Sequence, residues 1–268
     1  MFSGGLLVVK IGMVGGSGFD DPDFLTDVKF VKKGTPFGAL SSDLIIGKAG
    51  PTEVVIILRH GKGHRIRPSA VNYRANIWAM KEVGVTHIIA TTACGSLREE
   101  IEPGQLVFPD QFLDFTRQRK STFYEGDQVV HIAVADPFCE YLRGVLVETA
   151  TEEKIAHHPR GTIVTIEGPR FSTRAESKMF RMLGGDVINM STVPEAVLAR
   201  EAGICYATVA MSTDYDTWHH SEEPVTWEMI AVTMEKNVEH VKKIFFDSLP
   251  RITQEDCECR RAIETATV

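Results

Sequence analysis

No apolar run in these 268 residues approaches the ~20 needed to cross a bilayer, so no membrane-spanning helix is expected. Basic residues are outnumbered. The 29 Lys and Arg against 36 Asp and Glu leave a formal net charge of −7, which argues against a surface built to hold a nucleic-acid backbone or an anionic membrane. The N-terminal apolar patch LLVV has no basic residues before it and a lysine soon after, unlike a secretory leader. Repeats, low-complexity tracts and linkers are also missing, so residues 1–268 are expected to form one domain.

Cysteine is scarce and odd in number. Cys94, Cys139, Cys205, Cys257 and Cys259 do not make the dense, even framework of a disulfide-stapled secreted domain, so reduced thiols in the cytoplasm are expected. The close pair in CEC has no second ligand pair beside it, which predicts two plain thiols rather than a zinc ribbon. A strained or redox-sensitive link between the two sulfurs is the alternative.

What the chain does have is alternation. Short β-branched runs (LVVKIGMVG, DLIIGKAG, EVVIILRHG, THIIATTA, GQLVFPDQF, GTIVTIEG, VINMS, CYATVAMST) alternate with segments of helical period. The helical segments are SAVNYRANIWAMKEVG, PFCEYLRGVLVETATEE, STRAESKMFRMLGG, VPEAVLAREAG and VTWEMIAVTMEKNVEHVKKIFFDSLP. This pattern predicts an α/β fold with a central mixed, largely parallel sheet flanked by helices.

Several strands end in polar clusters: GGSG, RHG, TTACGS, EGPRFS and STDYD. Ligands of open α/β sheets sit outside the carboxyl ends of the strands, so these clusters are expected to converge on one crevice. The first lacks the G-x-G-x-x-G spacing of a dinucleotide site and the lysine of a P-loop, which disfavours a dinucleotide-dependent oxidoreductase. It still offers free N–H groups and the Ser17 hydroxyl to a small anion, or forms a tight turn that merely packs. Arg59 and His60 add a guanidinium fork and an imidazole at another strand end, and a buried arginine needs an anion or a carboxylate to satisfy it. Taken alone, that pair also has a structural reading. Together with Ser17, Thr92 and Ser191 it makes a compact donor set suited to one phosphate. His60 and His64, spaced H-x3-H without cysteine or acidic partners nearby, make a poor metal site, and no metal is expected.

Five stretches in order, KIGMVGGSGFDDP, RHGKGHRIRPSAVNYRANIWAMKEVGVTHIIATTACGSLREEIEPGQLVFPDQF, TIEGPRFSTRAES, DVINMSTVPEAVLAREAGICYA and STDYDTW, resemble the 5′-methylthioadenosine phosphorylases. These belong to the trimeric purine nucleoside phosphorylases. The likeness runs from about residue 8 to about residue 250. It implies a nucleoside phosphorylase-like fold and phosphorolysis, in which inorganic phosphate is a co-substrate and no cofactor is needed. Ser17, Arg59, His60, Thr92 and Ser191 match the family's phosphate positions. Ala93, Phe171, Asn189 and Met190 match positions around base and ribose, with Phe171 against the purine face and Met190 near the sugar hydroxyls. His64 and His131 match the 5′ end, His131 reaching in from a neighbouring subunit of a homotrimer.

In this frame Asp214 shares a proton with purine N7 and Asp216 accepts from the 6-amino group, provided residues 214 to 216 stay extended and so share one face. Burial and mutual repulsion are expected to raise a carboxyl of the pair. Adenine nucleosides follow as substrates, methylthioadenosine first and adenosine beside it. An adenosine-preferring purine nucleoside phosphorylase is the alternative within this reaction class, and a nucleosidase using water and a non-catalytic purine-binding protein are the competing functions. The phosphate donor set counts against the nucleosidase, and a proton donor beside an anion site counts against the binding protein. Serines at 17 and 191, where many family members have threonine, predict a looser hold on phosphate, and Trp227 replaces a small residue near the 5′ pocket.

Overall fold

The structure, a computed structural model, describes residues 9–15, 22–219, 227–253 and 257–267, with side chains at 227–232 outside the description. Ser17 with its glycine turn and the side chain of Trp227 therefore lie outside the described residues.

The expected mixed, mostly parallel sheet is present. Its main path runs β2 (Thr26–Val31), β3 (Leu44–Ala49), β4 (Thr52–Leu58), β1 (Lys10–Gly15), β5 (His87–Ser96), β10 (Val187–Asn189), β9 (Thr162–Ile166), β7 (Gln111–Phe115). A branch leaves β5 through β11 (Cys205–Tyr215) to β6 (Leu106–Val107) and β8 (His157–His158). β5 is the hub. Its first half lies between β1 and β11, both parallel to it, and its last residues pair antiparallel with β10.

Alternation along the strands feeds both faces of the sheet. Ile11 and Met13 join one apolar cluster with Phe245 and Leu142, while Val14 joins another with Ile77 and Tyr206. Helices α1 (Tyr73–Glu82), α2 (Glu140–Glu152), α3 (Arg174–Met182), α4 (Thr192–Glu201) and α5 (Trp227–Ser248) fall inside the five segments read from the sequence, apart from the first residue of α4, and a short α6 (Glu258–Arg261) follows. Their starts are chemically marked. Asn72 caps α1 by accepting from Ala75 N, and Thr173 and Glu176 form a reciprocal capping box at α3.

Three strand readings differ, the two-residue β8 being one addition to those read from the sequence. GQLVFPDQF is not one strand but β6 and β7, because Pro109, within the break, has no N–H for a ladder. β2 is an addition to the strands read from the sequence: TDVKFV is a half-exposed edge strand without an apolar run to mark it. Among the described residues no helix is long and apolar enough to cross a membrane.

Candidate active site

The carboxyl ends of β4, β5, β9, β10 and β11 open onto a cavity of about 1000 Å³. Of the five polar clusters, the four that fall in described residues border it. Parallel pairing of β5 with β11 brings Thr92 level with Ala210, and the chain then bulges at Thr213 so that Asp214 faces Gly95. Asp214 and Asp216 both line the cavity, as period two requires.

Gly95 is what leaves them room. A Cβ there would lie 3.2 Å from both Asp214 Oδ1 and Asp216 Cβ and 3.3 Å from Ile188 Cγ2. Gly95→Ala is therefore expected to displace the acid pair and lower kcat/KM at least about tenfold, with the fold destabilised by only about 1–3 kcal/mol. Paired kinetics and thermal melts check this.

The two acids differ. Asp214 receives a hydrogen bond from Thr213 Oγ1 at 2.7 Å. Burial, reinforced by the charge of Asp216, nevertheless pushes its carboxyl up to about 6. Burial also raises Asp216, with the Ser177 and Ser172 hydroxyls and the Thr217 N–H working the other way. None of those hydroxyls has good hydrogen-bond geometry. Asp216 Oδ2, Ser172 Oγ and Ser177 Oγ are buried without a hydrogen-bond partner in the described structure.

The polar set lines the same cavity. The Asn189 amide donates to Thr92 Oγ1 at 3.2 Å, Ser191 Oγ at 3.4 Å and Thr192 Oγ1 at 2.7 Å, and its oxygen accepts from Thr165 Oγ1. Thr92 and Ser191 stand 2.9 Å apart. Asn189 thus spends its polar atoms organising hydroxyls.

Arg59 is more committed than its place in the sequence suggests. Its Nε and Nη2 grip the Glu195 carboxylate at 2.8 Å each, Nη1 donates to Thr91 O at 2.8 Å, and Nη2 also reaches Val14 O. Of five guanidinium N–H groups, one on Nη1 stays uncommitted among these bonds, so the cavity meets a single donor and not an open fork. Burial works to lower the arginine pKa, but Glu195 outweighs it and keeps the guanidinium firmly charged. Tyr206 Oη donates to the same carboxylate at 2.8 Å.

His60 Nδ1 donates to Ile66 O at 2.8 Å, and its ring stacks on His64 with centroids 4.3 Å apart. Burial, then the charge of Arg59, drives it down to about 3, so it is neutral with Nε2 as an acceptor.

Ala93 and Met190 line the cavity, and Phe171 borders it while 45% exposed, in a mostly exposed run between β9 and α3. His131 does not join them. It is exposed, outside this cavity, with its backbone N–H donated to Ala266 O in the C-terminal segment.

Sequence reasoning missed Glu195, Tyr206, Ser172 and Ser177, and also the face of α5, where Met234, Glu235, Val238 and Glu239 border the cavity. The α5 set carried a signal, since i and i+4 pairs share a helix face. Glu195 carried none, because an acid in a first helical turn is ordinary capping chemistry.

A family model of the phosphorylase superfamily matches residues 10–249. S-methyl-5′-thioadenosine phosphorylase of Danio rerio is 53% identical over 253 residues, covering 92% of this chain and 90% of that protein. The protein of the same name from Thermofilum pendens is 49% identical over 261 residues, covering 97% and 99%. Methylthioadenosine phosphorylase from Schistosoma mansoni, solved in complex with adenine, superposes with a TM-score of 0.92 at 42% identity, covering 96% of this chain and 98% of that one. With this fold, this cavity and these relatives, the chain belongs to the phosphorylase superfamily, in the family of the S-methyl-5′-thioadenosine phosphorylases.

Proposed function

We propose that the chain catalyses phosphorolysis of S-methyl-5′-thioadenosine, with adenosine as a second substrate. A phosphate oxygen forms a bond to C1′ of the ribose as the C1′–N9 bond breaks, giving 5-methylthioribose 1-phosphate and adenine. The observation that carries this reading is one cavity lined both by the buried acid pair and by the hydroxyl, arginine and imidazole set.

As electrons move into the purine, Asp214 supplies or shares the proton at N7, a task suited to a carboxyl held near 6. Asp216 accepts from the 6-amino group, giving its unpaired Oδ2 the donor it lacks. Phe171 covers the purine face, and Met190 and Ala93 pack around ribose and base. Thr92, Ser191, Ser17 and the remaining Arg59 N–H donate to the phosphate, and His60 Nε2 accepts from its O–H; the phosphate attacks and also screens the positive charge developing on the sugar. The step calls for no organic cofactor.

His64 and His131 serve the 5′ end. His131, exposed and away from its own chain's cavity, is assigned to the pocket of a neighbouring subunit in a homotrimer. A relative of known structure, 41% identical, is named adenosine/methylthioadenosine phosphorylase, which favours adenosine as the second substrate. The compartment assigned is the cytoplasm, where the five free cysteines stay reduced.

The acid-pair reading predicts a base preference. Inosine presents a carbonyl where adenosine presents an amine, so Asp216 would face an acceptor, and kcat/KM for inosine is expected to be lower by roughly 5- to 150-fold. Equal turnover of adenosine and inosine would remove Asp216 from base recognition.

A further inference from the structure

Four of the five cysteines meet at the far end of the sheet. Cys139, Cys205, Cys257 and Cys259 are all buried, and their four Sγ atoms lie within 4.8 Å of one another. CEC has no second pair near it in the chain, but the fold supplies one from residues more than fifty positions away: Cys139 caps α2 and Cys205 opens β11. We propose that these four cysteines form a tetrathiolate site for one soft divalent cation of the zinc class, fastening the C-terminal segment to the sheet.

The geometry favours one ion over two separate bonds. With zinc–sulfur bonds of about 2.3 Å, the edge of a tetrahedron is about 3.8 Å, and Cys139 Sγ lies 3.7 Å from Cys257 Sγ. A disulfide needs about 2.05 Å between sulfurs and divides a set into pairs. Here every sulfur neighbours every other, the arrangement one central ion requires.

The surroundings suit thiolates. Leu142 N donates to Cys139 Sγ at 3.5 Å from the first turn of α2, and the Arg200 guanidinium reaches Cys259 Sγ at 3.7 Å. Four thiolates around a divalent cation carry a net charge of −2, which the arginine and the helix N-terminus partly offset. Four sulfurs and no nitrogen or oxygen ligand select zinc or iron over magnesium or calcium.

The site is remote from the phosphorolysis cavity. Cys205 and Asp214 are at opposite ends of β11, roughly 30 Å apart along the strand, so the role is structural. It reaches function through the tail. The segment that carries Cys257 and Cys259 continues to Ala266, whose carbonyl accepts from His131 N at 2.8 Å, and Thr267 bridges to Val130. The ion would therefore hold the segment that supports His131.

The test is metal content of the full protein, purified reduced and without chelators, with zinc offered to any portion isolated empty. About one ion per chain is expected, and reconstitution of apo-protein with cobalt(II) should give the sulfur-to-metal charge-transfer bands and intense visible bands of a tetrahedral thiolate site. Cys257→Ser and Cys259→Ser should each lose ~90% of the bound metal while adenine release persists at the temperature of assay. Reduced wild-type protein that binds no ion when zinc is offered, with all its thiols titratable after denaturation, overturns the proposal. So do cystines among these residues in peptides from protein trapped with alkylating agent at lysis.

Discussion

Asp214→Asn is expected to lower kcat for adenine release by about 100- to 10,000-fold while the KM for phosphate stays nearly unchanged. Asparagine keeps the size and the hydrogen bond to Thr213 and can donate a hydrogen bond to N7, but it has no acidic proton to transfer there. The wild-type kcat/KM for the nucleoside should fall as pH rises through about 6, where Asp214 ionises, and the variant should lack that limb. Wild-type turnover in the variant would remove Asp214 from proton transfer.

Stability should move the other way. The carboxyl is raised from 3.8 to about 6, so between those values the folded chain holds a proton that the unfolded chain has released. Wild-type stability therefore falls as pH rises through that window, and the cost is present in full above it. The asparagine variant is free of that cost. It is expected to melt above the wild type at neutral pH, with the gap closing below pH 3.8. A gain in melting temperature together with lost turnover marks a group retained for chemistry at the expense of the fold. Parallel melts across pH read both signs.

Arg59→Ala should have the largest effect on the fold. Arg59 and Glu195 are 3% and 0% exposed, joined by two bonds of 2.8 Å. Removing the guanidinium leaves a buried carboxylate with only the Tyr206 hydroxyl, at a cost of about 3–5 kcal/mol. It also removes the charged donor at the phosphate site, so the KM for phosphate is expected to rise about 10- to 100-fold. Adding Glu195→Gln separates the two effects. The double variant no longer buries an unpaired charge and should recover much of the melting temperature, while the KM for phosphate stays high. An unchanged KM for phosphate in Arg59→Ala would show that the arginine serves Glu195 alone.

The contrast between Arg59 and Asp214 shows what the sequence could tell. Polar punctuation after apolar strands marks the crevice because strand ends in a largely parallel sheet point the same way, and RHG, TTACGS, EGPRFS and STDYD do border one cavity. Which donors remain available is a tertiary fact. The Arg59 fork looks open until Glu195, 136 residues away, closes on it, and Asn189 looks like a substrate contact until three hydroxyls absorb its amide. CEC looks incomplete for the same reason, since Cys139 and Cys205 join it through packing across the sheet. Helices are legible because amphipathic period and caps are local. β2 is not, because a polar edge strand takes its conformation from pairing with β3 and not from its own residues.

The central claim is that phosphate is the nucleophile. The most direct test is adenine release from S-methyl-5′-thioadenosine with and without phosphate, with the sugar product identified. Release that requires phosphate, with 5-methylthioribose 1-phosphate formed in equal amount to adenine, is the predicted result. Equal release without phosphate, yielding free 5-methylthioribose, would make the enzyme a nucleosidase and contradict the assignment of Arg59, His60, Thr92 and Ser191 to an anion site.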